Sequence, residues 1–172
     1  VLKDEYGRFS SERGRVSARY TREMLSAASW DYIQNSMDSC GRAEFSVNGK
    51  KCLAIHGSLQ DEYWKAVCPE DDLDEYREYD YVFSGHSHLP HYFARYFPAD
   101  NPDTRNKKKT VFINPGSAGQ PRNLNPMAQF AIWDPETDEV IMACVPYDIP
   151  KEQEAFTTNV DVFYRDRLSR GV

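Results

Sequence analysis

The sequence predicts an α/β (α+β) chain of mixed β-sheets flanked by helices, and three observations carry that reading. Short continuous apolar runs at 52–55 and 81–83 stop abruptly at turn-forming residues, as buried strands do. Two further pairs of apolar segments, HYFARYF with KTVFINP and AQFAIWD with EVIMACVPYD, are each joined by a polar, turn-rich stretch. Segments with apolar residues at helical spacing stand near both ends of the chain.

Taken in order, the first twenty residues are charged and rich in Ser and Gly without a sustained period, and read as an irregular connection. Ser26 is placed to cap a helix, with Leu25 and Trp30 as a hydrophobic staple and Trp30, Ile33 and Met37 at helical spacing, ending near Cys40 and Gly41. Phe45 and Val47 alternate with polar residues before Asn48-Gly49, the strongest short hairpin signal, and the following strand delivers His56 to its end. The acidic stretch 69–79 predicts a short helix within DLDEYREY. The apolar run 81–83 then predicts a buried strand that delivers His86. After the two strand pairs, Val160, Phe163, Tyr164 and Leu168, with Asn159 as cap, predict a terminal helix packed on a sheet.

No repeat, low-complexity tract or linker divides the 172 residues, and 40% apolar content supports a single domain over 1–172. A formal charge of −6 argues against binding duplex nucleic acid through a basic face. With no apolar run of membrane-spanning length and no signal-peptide core in the first residues, the expectation is a cytoplasmic protein without membrane contact. Cys40, Cys52, Cys68 and Cys144 have no metal-like spacing and read as reduced thiols.

All four histidines fall between positions 56 and 91. In YVFSGHSHLPH, two imidazoles stand two residues apart directly after a buried strand. On an extended backbone they would face the same side about 6.5–7 Å apart, a spacing that serves two metal ions. Gly85 would allow a tight exit from the strand, and His56-Gly57 repeats the arrangement at another strand end. Three imidazoles at neighbouring strand ends make a convergent metal site; isolated, hydrogen-bonded turn histidines are the alternative. Imidazole suits Mn, Fe, Zn, Ni or Co without naming one.

AIHG at 54–57, FSGHSH at 83–88 and FINPGSAGQPR at 112–122, in that order, resemble the calcineurin-like metallophosphoesterases, especially their small bacterial and archaeal phosphodiesterase branch. The likeness covers nearly the whole chain, which looks like the C-terminal portion of the family's four-layer α-β-β-α sandwich, the part after its GNH(D/E) motif. It implies a two-metal centre in which His56 and His86 bind one divalent transition metal and His88 the other. A bridging hydroxide would then attack a small phosphate ester. It also implies a D-x-H motif, a Gly-Asp pair and a GNH segment with a catalytic His, none of which occurs in these 172 residues. Without a bridging carboxylate, neutral imidazoles compensate two dications poorly, so this chain alone is expected to be inactive. The carboxylates would come from a missing N-terminal segment or a second copy. A noncatalytic protein-interaction module on the same fold is the alternative, and a mononuclear three-histidine hydrolase a third reading.

Asn114, Ser117 and Arg122 are the candidate substrate contacts. Asn114-Pro115-Gly116-Ser117 reads more readily as a structural turn than as a substrate contact, and Arg122 equally as a loop ion-pair partner. His91 supports the ligands or is merely exposed. Tyr92, Phe93, Tyr96 and Phe97 fit alternating strand burial better than base stacking, and Lys107, Lys108 and Lys109 read as a solvated loop. Asp71, Asp72 and Asp74 read as a solvated acidic helix start.

Overall fold

In the computed structural model, residues 5–37 and 41–172 are described, and the chain groups into two compact units. One unit comprises Val1–Met37 and Tyr147–Arg170 and is helical; the other, Asp38–Pro146 with Gly171–Val172, holds the strands.

The helical unit begins with α1, Glu12–Met24, where the sequence predicts an irregular connection. Its cap explains the start: Ser11 is extended and its Oγ accepts from the Gly14 N–H at 3.2 Å, while Glu12 and Arg22 sit at the ends that suit their charges. Ala18 is its only buried residue among those described, so the apolar stripe that would have disclosed the helix is thin. Helix α2, Ala27–Asn35, starts at Ser26 as expected, with Ser26 Oγ accepting from Ser29 N at 3.1 Å. It stops before Met37, and Cys40 lies outside the described residues.

Helix α3, Ile149–Glu154, was not foreseen; Asp148 caps it through Lys151 N at 3.1 Å. Helix α4, Val162–Asp166, is capped by Asp161 instead of Asn159 and continues into a 3-10 turn, Arg167–Ser169. Its neighbour in this unit is α1 and not a sheet: the Arg13 guanidinium stands 4.3 Å from the centre of the Phe163 ring, with that of Arg167 at 5.0 Å. Aromatic faces attract cations, which helps to hold a five-residue helix that buries none of its own residues.

In the other unit, β1 (Arg42–Val47) and β2 (Lys50–Ile55) form the expected hairpin. Both turn residues, Asn48 and Gly49, have positive φ, 49° and 75°, as the two-residue turn requires. Strands β3 (Tyr81–Phe83), β4 (His91–Pro98) and β5 (Lys107–Asn114) complete a mixed five-stranded sheet ordered β1-β2-β3-β5-β4. β2, β3 and β5 are mutually parallel, so their C-terminal ends share one edge. A separate antiparallel pair, β6 (Ala128–Trp133) and β7 (Val140–Val145), covers part of one face. There Trp133 lies 4.4 Å from the Tyr81 ring over a core of Cys52, Tyr81, Val111 and Ile113, and Tyr81 Oη donates to Asp138 Oδ1 at 2.7 Å.

The opposite face packs Leu53, Val82 and Phe112 against Val67, Leu73 and Tyr76 from the long connection after β2. The acidic helix predicted there is only a 3-10 turn, Asp74–Tyr76. Tyr76 is buried, and its Oη accepts from Leu59 N at 2.8 Å, tying down the connection that carries the loop beside His56. Tyr76→Phe keeps the ring but strands that N–H, so a loss of about 1–2 kcal/mol in chemical denaturation is expected.

Candidate functional site

The shared C-terminal edge of β2, β3 and β5 is where ligands gather on parallel sheets. His56 follows β2, His86 and His88 follow β3, and Asn114 ends β5. Parallel pairing of β2 with β3 brings His56 Nε2 to 3.3 Å from His86 Nδ1, with ring centres 5.3 Å apart at 77°. Their loops are sewn together by the backbone bond from Gly85 N to His56 O, 3.1 Å.

The segment 86–88 is not extended, as the i, i+2 argument supposes. His86 and His88 both adopt left-handed backbone, φ 62° and 58°. Such conformations cost non-glycine residues about 1 kcal/mol each and persist where surrounding contacts impose them, often at functional sites. One such contact is His88 Nδ1 to the Gln120 carbonyl at 2.7 Å. A carbonyl only accepts, so Nδ1 carries the proton and the neutral ring keeps its lone pair on Nε2.

Burial is the main cause holding both His56 and His86 below the ordinary imidazole pKa. Next come the repulsion from His86 for His56, and from Arg122 and His88 for His86. At neutral pH these rings are therefore neutral donors, the state that binds metals.

The donor set fits an ion in part. Two imidazole nitrogens 3.3 Å apart match the roughly 3.3 Å between ligands bound at about 2.0–2.1 Å to a tetrahedral ion. Among the described residues, however, no three His, Cys, Asp or Glu side chains are grouped closely enough to hold a metal.

The other predicted residues divide by role. Asn114 is fully buried: Nδ2 donates to Gly85 O at 2.8 Å and to Ser87 Oγ at 3.1 Å, and Oδ1 accepts from Gly116 N at 2.9 Å. It ties the end of β5 to the histidine loop. Ser117 Oγ accepts from Gln120 N at 2.9 Å, which steadies the residue whose carbonyl orients His88. Arg122 N donates to His88 O at 3.3 Å, and its guanidinium is exposed, without an ion pair among the described residues.

Sequence reasoning missed three participants. The Gln120 carbonyl, the Gly41 carbonyl that accepts from His56 N at 3.0 Å, and Trp64, whose ring centre is 6.4 Å from that of His86, lie in loops without a period. Backbone carbonyls leave no mark in a sequence; an isolated loop Trp was the one visible signal.

His91 is half-buried, and its Nε2 has no partner among the described residues; burial lowers its pKa. Above about pH 6.5 the ring is neutral whether folded or unfolded, and contributes no pH dependence. As pH falls through that value the unfolded chain takes the proton first, so stability is lost. In His91→Phe, the fall in unfolding midpoint between pH 7.5 and 5.5 is expected to be smaller than in the wild type; parallel curves would rule out this account.

A mixed five-stranded sheet with histidines just beyond the ends of adjacent parallel strands is the arrangement that the comparisons with known proteins address. The calcineurin-like phosphoesterase superfamily domain matches residues 28–138, and the chain belongs to that superfamily. An uncharacterized protein of Methanocaldococcus jannaschii is 30% identical over 128 residues, 67% of this chain and 49% of that protein. The chain thus spans about half the length of this curated relative. The crystal structure of a metallophosphoesterase from Sphaerobacter thermophilus is similar over 96% of this chain and 72% of its own, with 25% identity and a TM-score of 0.65. A hypothetical protein from Pyrococcus horikoshii shares the fold over 99% of this chain and 69% of its own, with 17% identity and a TM-score of 0.68. No helix among the described residues is long and apolar enough to cross a membrane.

Proposed function

We propose that this chain supplies the histidine half of a two-metal phosphoesterase centre acting on a small phosphomonoester or phosphodiester. His56 and His86 would hold one divalent transition ion, of Mn, Fe, Zn, Ni or Co, and His88 the other. The observation that carries this is the 3.3 Å approach of His56 Nε2 to His86 Nδ1 at adjacent strand ends. The superfamily typically binds two metals.

When bound, such ions lower the pKa of water and offset charge on phosphoryl oxygens. The chain's own residues do the rest. Gln120 keeps the His88 lone pair on Nε2, Asn114 holds the loop, and the Arg122 guanidinium beside His86 takes a phosphate oxygen pair. The bridging carboxylate and catalytic His would come from a further N-terminal segment or a second copy, completing the four-layer sandwich in the cytoplasm.

A noncatalytic interaction module is the second reading, favoured by the lack of three grouped ligands among the described residues. Metal analysis and hydrolysis of an aryl phosphodiester by the full-length protein separate the two. Bound transition metal with metal-restored turnover supports the enzyme; neither, in a pure sample, sinks it.

A further inference from the structure

The connection between β4 and β5 stands at the opposite end of the sheet from the histidines. β5 runs from Lys107 to Asn114, so at about 3.3 Å per residue its ends are roughly 23 Å apart. A cavity of about 770 Å³ opens there, lined in part by Asp80, Tyr96, Arg105, Lys107, Lys108 and Lys109. That volume is in the range of small-molecule sites.

The charge is unusual for a chain of net −6. Asp80 is already engaged, Oδ2 accepting from Lys51 N at 2.7 Å and Oδ1 facing Lys108 Nζ at 3.4 Å. Arg105, Lys107 and Lys109 form no ion pair among the described residues. Asp138, the carboxylate that feels Lys109, is held by Lys50 Nζ and Tyr81 Oη, each at 2.7 Å. Three positive charges therefore face one cavity with no acidic partner of their own.

The loop that presents them is shaped by its own bonds. Asn101 caps the 3-10 turn Pro102–Thr104 and accepts from Asn106 N at 2.8 Å, while Ala99 N donates to Asn106 O at 2.9 Å. Arg105 and Asn106 are consecutive left-handed residues, φ 55° and 56°, a costly conformation that these bonds maintain.

We propose that this cavity is a second anion site, separate from the histidines, that takes an oligophosphate group. Three unneutralised cations exceed what one phosphate needs and suit a di- or triphosphate. The Arg105 guanidinium can grip two oxygens, and the lysines act as point charges. The oligophosphate is either free or the tail of a nucleotide, for which exposed Tyr96 offers a ring face.

Calorimetric titration of this chain with inorganic tripolyphosphate and with ATP, at moderate salt, tests the site. Saturable one-to-one binding is expected, weakened at least about tenfold in Lys107→Ala/Lys109→Ala and further in the triple variant with Arg105→Ala. His86→Ala should bind like the wild type, as should Lys151→Ala/Arg170→Ala, which removes equal charge elsewhere. Circular dichroism checks that each variant is folded; should the triple variant not fold, the double variant decides. Equal affinity for both ligands marks a free oligophosphate site. Tighter ATP binding that Tyr96→Ala abolishes marks a nucleotide site, and both outcomes support the proposal. No saturable binding, loss in His86→Ala, or an equal loss in the charge control overturns it.

Discussion

His86→Gly is expected to lose divalent-metal affinity by more than about 100-fold while making the metal-free chain more stable by about 1 kcal/mol. The two effects have separate causes. Partners that merely orient a ligand are typically worth about 10–100-fold in metal affinity, so removal of a ligand should exceed that range. The gain in stability comes from the backbone: His86 sits at φ 62°, where glycine pays no steric penalty. His86→Ala should lose the metal as well but gain no such stability, because its Cβ keeps the strain. His91→Phe, which alters a neighbour outside the ligand set, should bind metal normally. Metal titration of the full-length protein, paired with denaturation of the metal-free chain, reads both effects. Wild-type metal affinity in the glycine variant would remove His86 from the ligand set.

The second large effect belongs to Gly57. A Cβ there would lie 2.5 Å from Asp61 O and 2.9 Å from both Glu62 C and Lys65 O, all of them backbone atoms that no rotamer change can withdraw. Gly57→Ala must therefore push the loop away, breaking the bond from Gly57 N to Glu62 O at 2.7 Å and the bridge between Ser58 and Asp61. We expect a loss of about 3 kcal/mol, at the upper end of the usual range for overpacking. Asp61 and Trp64, which stand near His86, move with that loop, so the electrostatic setting of His86 should change too. Gly85→Ala is the control. Its nearest neighbour would be His56 O at 3.4 Å, an ordinary contact, and a change within about 1 kcal/mol is expected. The sequence singled out Gly85 for a tight exit from its strand, but of the two glycines the one that strictly excludes a side chain is Gly57. Equal losses in the two variants would refute the steric argument.

The helices show where local signals fail. Ser26 announced α2 because a cap is a local hydrogen bond, and its Oγ does accept from Ser29 N. The same chemistry at Ser11 was hidden by a charged segment with one buried residue among those described, too little apolar period to register. In the acidic stretch, charge density mimicked a helix start. Tyr76 and Leu73 are instead drawn into the core of the sheet unit, which leaves room for a single 3-10 turn.

What the sequence determined by itself were features written in adjacent residues. These include the Asn48-Gly49 hairpin, the strands read at 52–55, 81–83 and KTVFINP, the last of which begins earlier, at Lys107, and the placing of His56 and His86 just beyond strand ends. Alternation, turn chemistry and apolar runs act over a few residues and can be read from one sequence. The tertiary structure alone decided that His56 Nε2 comes within 3.3 Å of His86 Nδ1, that His86 and His88 turn left-handed, and that Asn114 is an internal tie. It alone made an open basic pocket of lysines that read as a solvated loop. The reason is sequence separation: parallel pairing joins residues some 30 positions apart across intervening chain, and no local pattern encodes which strand ends become neighbours.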